Sequence, residues 1–389
     1  MNQTKAKDAQ YVAHTYCRYP MEVVGGEGSV VRDADGREYI DLGSGIGVNI
    51  FGLNDAGWKN AVKEQLDRFQ HCSNHYYARP VADLAELLCK RTGMSRVFFS
   101  NSGAEANECA IKAARKWAAE QKGAEYCNIV TLRMSFHGRT IATLTATGQD
   151  SFHQSFQPLP EGFLYAEAGD RAGLEKLISG HPCAAIMFEA VQGEGGVKPI
   201  GQEFADTLQE LAQKYDLLLI ADEVQLGNGR SGQLYGYMNY GMKPDIVTTA
   251  KGLGGGLPLG ATLFGERAKD ALQVGDHGST FGANPVCCAG GLHILSRIDE
   301  ELLAGVRERS EYIRRELSGC AGIRSVSGMG LMLGLEVDRP AREFAEAMLQ
   351  KGVLVLTAKE KVRLLPPLNI PMDLLKIAVQ RIKACAAEK

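Results

Sequence analysis

Between about residues 96 and 265, short apolar runs alternate with longer amphipathic stretches. The runs are Arg96-Val97-Phe98-Phe99, Asn128-Ile129-Val130-Thr131, Ala184-Ala185-Ile186-Met187-Phe188, Leu217-Leu218-Leu219-Ile220, Asp245-Ile246-Val247-Thr248 and Ala261-Thr262-Leu263-Phe264. Their shortness and near-continuous apolarity predict buried strands of a mainly parallel sheet. The stretches between them place apolar residues on one helical face, as in Ala106, Cys109, Ala110, Ala113 and Trp117, or Phe204, Leu208, Leu211, Ala212 and Tyr215. Strands alternating with such helices predict an α/β architecture, a sheet flanked by helices.

Beyond residue 285 the pattern predicts a smaller α+β unit: a long helix, a strand near Gly330–Val337, another helix, strands near Val353–Leu356 and Val362–Leu365, and a last helix from Met372. Near the start, Ser29-Val30-Val31-Arg32 and Glu38-Tyr39-Ile40 flank Asp33-Ala34-Asp35-Gly36, which predicts a hairpin. No repeat or low-complexity linker marks a boundary. The pattern divides the chain into an N-terminal segment 1–49 that docks on the smaller domain, a large domain 50–285 and a C-terminal small domain 286–389.

At 389 residues the chain exceeds what one core usually serves, so two domains are expected. Composition excludes several function classes. With a net charge of −3 there is no positive field to gather nucleic acid or an anionic membrane. Met1–Gln10 lacks the apolar core of a secretory signal, and no stretch approaches the roughly 18 apolar residues of a membrane span, so a cytoplasmic protein is expected. The ten cysteines form no C-x-x-C pair and no Cys/His cluster at metal spacing, so neither a metal site nor a disulfide framework is expected.

In wound sheets ligands bind beyond the carboxyl ends of the strands. Ser100-Asn101-Ser102-Gly103-Ala104-Glu105 follows the first run and opens a helix, where free N–H groups and the Ser102 hydroxyl suit a phosphate. A simple capped helix start reads the same way. Asp222 ends the run Leu217–Ala221, and a buried carboxylate there needs a partner, such as a protonated pyridine nitrogen. An aspartate capping the next turn is the plainer alternative. Lys251 ends Asp245–Ala250 among small and apolar residues, where desolvation favours a free amine able to attack an aldehyde. A surface lysine or a nucleotide loop competes with that reading. The glycines that follow Lys251 do not form a phosphate-loop motif, and they do not open an amphipathic helix as a dinucleotide site would.

Seven segments, in order, resemble the class III (fold type I) aminotransferases, and within them the branch acting on N-acetylornithine. They are Thr15–Pro20, Asn101–Glu108, Ser135–Thr140, Glu189–Gly196, Asp222–Gln225, Ala250–Gly252 and His277–Pro285. The resemblance spans nearly the whole chain. It implies a fold type I transferase that depends on pyridoxal 5'-phosphate. Lys251 would join the cofactor as a Schiff base and Asp222 would pair with its ring nitrogen. Ser102, Gly103 and Ala104 would cradle the phosphate, Phe136 would stack on the ring, Glu223 and Val224 would line the cofactor, and Gln225 would face the ring hydroxyl. Thr280 would reach the phosphate of a neighbouring subunit, which implies a homodimer with shared sites.

Arg139, helped by Ser279, resembles the arginine that grips a substrate carboxylate. Arg363 resembles a second such arginine, masked in relatives by a glutamate at the position of Glu194. The activity implied moves the terminal amino group of N2-acetylornithine to 2-oxoglutarate, giving N-acetylglutamate 5-semialdehyde and glutamate, a step of arginine biosynthesis. Ornithine, succinylornithine, acetyl-lysine and 4-aminobutyrate are the alternative donors. An NAD(P)-dependent oxidoreductase and a non-catalytic cofactor-binding regulator are the alternatives of other classes. The chain departs from the family at Gly52–Gly57, where Gly-His-x-His-Pro is frequent, and at Ala190, where proline is common. Ser44–Val48 lacks the aromatic residue of ornithine δ-aminotransferases, which leaves room for an N-acyl group.

Overall fold

The computed structural model describes residues 3–388. At its centre lies a seven-stranded sheet whose strands are, in chain order, β1 (Arg96–Ser100), β2 (Asn128–Leu132), β3 (Phe163–Ala166), β4 (Cys183–Phe188), β5 (Leu218–Asp222), β6 (Ile246–Thr249) and β7 (Gly260–Phe264). The spatial order is β1-β7-β6-β5-β4-β2-β3. Six strands run parallel and β7 runs against both its neighbours. The reversal follows from chain length: only Ala250–Leu259 separates β6 from β7, too short for the crossover that a parallel return needs. Every residue of β4, β5, β6 and β7 is buried, as the apolar runs predict. β3 was not foreseen. It is a four-residue edge strand whose Phe163, Leu164 and Tyr165 are half-buried, so it carries no continuous apolar signal.

Helix Gly103–Gln121 lays Ala106, Cys109, Ala110, Ala113 and Trp117 against the sheet, and helix Gln202–Lys214 does so with Phe204, Leu208, Leu211 and Ala212. Tyr215 lies one residue beyond that second helix, at its C-cap.

The long helix expected after residue 285 is two helices, Pro285–Ser296 and Glu300–Leu317. Asn284 caps the first, whose opening residue is proline, and Asp299 caps the second by accepting from Leu302 N at 2.9 Å. Strand Ile323–Met329, also unforeseen, forms a hairpin with Met332–Val337, and the four-stranded sheet is completed by Lys361–Leu364 and Leu356–Ala358. The apolar run near Val353–Leu356 serves two sheets. Leu356 begins the edge strand just named, while Val353–Leu354 pairs in parallel with Glu38–Asp41, Val353 opposite Ile40. The expected N-terminal hairpin pairs Val30–Asp33 with Glu38–Asp41, and Val23–Glu27 adds a third strand. Asp33 fixes its turn by accepting from Asp35 N and Arg37 N. Among the described residues no helix is long and apolar enough to cross a membrane, and all ten cysteines are unbridged.

Candidate active site

Parallel strands end on one side of a sheet, so β1, β2, β4, β5 and β6 deliver the segments that follow them to a common edge. Asp222, the last residue of β5, sits almost wholly enclosed there. Its Oδ2 accepts from Asn107 Nδ2 and from His137 Nδ1, each at 2.8 Å, and its Oδ1 accepts from Val224 N at 3.0 Å. The Asn107 amide is itself oriented, because its Oδ1 accepts from Thr248 Oγ1 at 2.7 Å while its Nδ2 also donates to His137 O. These bonds hold a buried carboxylate in one pose. Glu189, just past β4, accepts from Phe136 N at 2.8 Å and Gly193 N at 3.3 Å, so one carboxylate ties two loops of the site together. Burial pushes the Glu189 carboxyl upward, with His137 opposing and Asp222 adding to the shift.

Lys251 follows β6 in a single tight turn, Lys251–Leu253, with φ of 45°. A lysine held in left-handed backbone is strained and persists only where its surroundings enforce it. Burial pushes its amine below the usual range; Arg363 acts in the same direction, while Glu194, Asp222 and Glu189 oppose it. The amine makes no hydrogen bond or ion pair among the described residues.

Arg363, on strand Lys361–Leu364, is buried, and its Nη1 donates to Glu194 Oε1 at 2.5 Å and to Gln225 Oε1 at 2.9 Å. Gln225 Nε2 in turn donates to Glu194 Oε1 at 3.2 Å. Burial by itself would raise the Glu194 carboxyl, but Arg363, Lys251 and Gln225 outweigh it and hold the group below the usual carboxylate range. Glu194 thus pairs its charge with that of the guanidinium.

Phe136, Arg139 and Phe152 form a stack: the Arg139 guanidinium lies 5.6 Å from the Phe136 centroid and 4.6 Å from that of Phe152. Gly103 opens its helix against Val224, and a Cβ on Gly103 would come within 2.5 Å of Val224 Cγ1. The amides of Gly103 and Ala104 lie in the first helical turn, where no carbonyl four residues back can reach them.

Four expected site residues are engaged otherwise than expected, the first being Gln225, whose amide is held by Arg363 and Glu194 rather than left to a ring hydroxyl. Ser102 accepts from Glu105 N at 3.2 Å and donates to Glu105 Oε2 at 3.0 Å, so its hydroxyl serves the helix cap. Glu223, fully buried, turns away from Asp222 and accepts from Gly236 N at 2.7 Å and Tyr237 N at 2.8 Å. Glu223 lies one residue past β5, where its N still donates to Thr248 O, so the alternation of the strand carries on and turns it away from its neighbour. Ser279 accepts from Asn101 Nδ2 and Gly282 N rather than touching Arg139. Thr280, beside it, is exposed.

The class III aminotransferase model matches residues 11–386. The chain is 46% identical over 371 residues to the acetylornithine aminotransferase of Haemophilus ducreyi, covering 95% of this chain and 94% of that protein. It is 41% identical over 396 residues to the succinylornithine transaminase of Yersinia pseudotuberculosis, covering 97% and 95%. Among solved structures it matches the ornithine aminotransferase of Toxoplasma gondii, described with partial occupancy of pyridoxal phosphate at its active site, with a TM-score of 0.94 and 30% identity over 99% of this chain and 94% of that one.

The chain belongs to the class III aminotransferases.

It is a pyridoxal phosphate-dependent transaminase of fold type I. The residues of this aminotransferase suit the cofactor on their own terms. A partnerless amine at Lys251 suits a carbonyl, and a buried, oriented carboxylate at Asp222 suits a ring N–H. The crowded Gly103–Val224 contact leaves the free helix-start amides open to an anion. Three residues of the aminotransferase site were not singled out from sequence: Asn107, His137 and Glu189. Asn107 is a polar residue on an otherwise apolar helix face. Glu189 directly follows an all-buried strand, the same signal that singled out Asp222.

Proposed function

We propose that this aminotransferase moves the terminal amino group of N2-acetylornithine to 2-oxoglutarate, giving N-acetylglutamate 5-semialdehyde and glutamate, as a step of arginine biosynthesis. The observation that carries the reading is the closed trio Arg363–Glu194–Gln225 beside the Lys251 amine. A transaminase must accept two substrates of different charge at one place. With Glu194 paired to it, Arg363 presents little net charge to the carbon chain of the donor. With Glu194 swung aside, it offers an unpaired guanidinium to a dicarboxylate.

Pyridoxal phosphate supplies an aldehyde that takes up the amino group and a ring that accepts the electron pair released at the substrate carbon. Lys251 Nζ, its basicity lowered by burial, takes and returns the proton at that carbon. Asp222, braced by His137 and Asn107, holds a proton on the ring nitrogen. Phe136 and Val224 present apolar surface to the ring, and the Gly103 and Ala104 amides bind the phosphate at a helix start that the Ser102 cap holds in place. Arg139 holds the α-carboxylate of the donor. The reading includes a cytoplasmic homodimer in which Thr280 of one copy serves the phosphate of the other, supported by its exposed position.

Turnover of N2-acetylornithine, ornithine, N6-acetyl-lysine and 4-aminobutyrate with 2-oxoglutarate tests the donor, with the highest kcat/KM expected for N2-acetylornithine. Arg363→Ala is expected to raise KM for 2-oxoglutarate about 100-fold, with the donor half-reaction less affected. Turnover of ornithine or 4-aminobutyrate in the absence of any with the acylated donor would refute the assignment.

A further inference from the structure

The edge of the active site carries a second cation that nothing in the reaction described so far employs. Strands Leu356–Ala358 and Lys361–Leu364 form a hairpin, and the second strand carries Arg363 into the site. At its tip, Lys359 has φ of 54°, a backbone conformation that glycine adopts without strain and lysine does not. Its ammonium lies 6.0 Å from the centroid of Phe152, the ring on which the Arg139 guanidinium sits at 4.6 Å. Two cations from distant parts of the chain therefore gather at one aromatic ring. Neither makes a hydrogen bond or ion pair among the described residues. The nearby Asp150, two residues before Phe152, is already paired with Arg133 at 2.9 Å. Like charges assembled without a counterion mark a place for an anion brought by a ligand.

We propose that Lys359 is a specificity-determining residue: its ammonium binds the carboxylate that ends the acyl chain of an N2-succinylated donor, and so sets how the site ranks that donor against its N2-acetyl counterpart. The proposal rests on the reading that Arg139 holds the α-carboxylate of an N-acylated donor. In such a molecule the acyl carboxylate stands six bonds from the α-carboxylate, roughly 6–8 Å when extended. That is the scale over which one carboxylate on Arg139 and the other on Lys359 fit around a single ring. An N-acetyl donor has no group to place at Lys359, so the residue separates the two donors without touching the reacting amine.

The probes are N2-succinylnorvaline and N2-acetylnorvaline, which lack the reactive amine, with binding to the holoenzyme measured by calorimetry alongside kcat/KM for the two acylornithines. Lys359→Gly removes the cation and suits the left-handed turn, and Lys359→Arg keeps the charge. The glycine variant is expected to lose about fivefold in affinity and in kcat/KM for the succinyl compounds relative to the acetyl ones. The arginine variant is expected to retain the wild-type ratio, and that ratio should shrink as salt is raised from 0.05 to about 0.5 M. An equal loss for both acyl groups, a matching rise in KM for 2-oxoglutarate, or no change of ratio would overturn the proposal while leaving the transaminase assignment standing. If neither acylornithine reacts and free ornithine does, both readings fall together.

Discussion

Asp222 and Glu223 are adjacent carboxylates with opposite fates. Asp222 receives two side-chain donors and one backbone amide, whereas Glu223 is enclosed on the far side with only Gly236 N and Tyr237 N. Burial pushes the Glu223 carboxyl up to about 8, against the pull of those two amides and with Asp222 and Glu189 adding to it. The folded protein therefore binds this proton more tightly than the unfolded chain does. Its contribution to stability is fully present below the ordinary glutamate value, and it is lost as pH rises through the window from about 4.5 to about 8. Glu223→Gln, which keeps the shape without the titration, is expected to flatten the decline of the apoprotein melting temperature across that window. Thermal melts at pH 5 to 9 check it, and parallel slopes for the two proteins would contradict it.

At the scale of elements, two helix starts shape the site. Ser102 and Glu105 form a capping box at the head of Gly103–Gln121, with the Glu105 carboxylate reaching back to Asn101 N at 2.8 Å. Helix Ala56–Arg68 begins within the stretch that departs from the family pattern. Asp55 caps it by accepting from Trp58 N, and Arg297 donates to both Asp55 oxygens at 2.8 Å. Trp58 in turn donates from Nε1 to Gly254 O at 3.1 Å, and a Cβ on Gly255 would meet that indole nitrogen at 2.9 Å. Gly254 N donates to Lys251 O, so the indole braces the turn that holds Lys251 in its strained backbone. Trp58→Phe keeps the ring and loses the bond. It is expected to cost about 1 kcal/mol in urea unfolding of the apoprotein and to weaken cofactor binding several-fold, as read by titration with pyridoxal phosphate. Unchanged affinity would mean that the turn holds without its brace.

Over the whole molecule, one face collects features that a single copy leaves unused. Tyr77 is fully exposed and Phe281 is 63% exposed. A cleft of about 720 Å³ between segments 71–78 and 277–285 includes Thr280. Exposed aromatic residues around a cleft suit a protein partner. The homodimer proposed above predicts that Phe281→Asp sediments as a monomer and binds pyridoxal phosphate about tenfold more weakly. A dimer undisturbed by that charge would place the interface elsewhere. Helix Pro285–Ser296 packs against helices Ala56–Arg68 and Arg79–Thr92. We therefore propose that the boundary with the small domain lies at the break Arg297–Asp299 rather than at residue 285.

The residues alone were enough to determine the buried strands and the helix faces that cover them, and to single out Asp222 at the end of β5 and Lys251 just beyond β6. Each is a local property, because an apolar run of strand length has to be buried and a polar residue at its end has to find a use. The sequence did not reveal β3 or strand Ile323–Met329, whose half-exposed residues lack that pattern. Tertiary structure decided which polar groups meet. Asn107 from a helix, His137 from a loop and Asp222 from a strand converge although up to 115 positions separate them, and Glu194 finds Arg363 across 169. It also decided that Glu223 and Ser279 turn elsewhere, and that Lys359 and Arg139 share a ring. Such pairings depend on how elements pack in space, and hydrophobic periodicity along a chain carries no record of that.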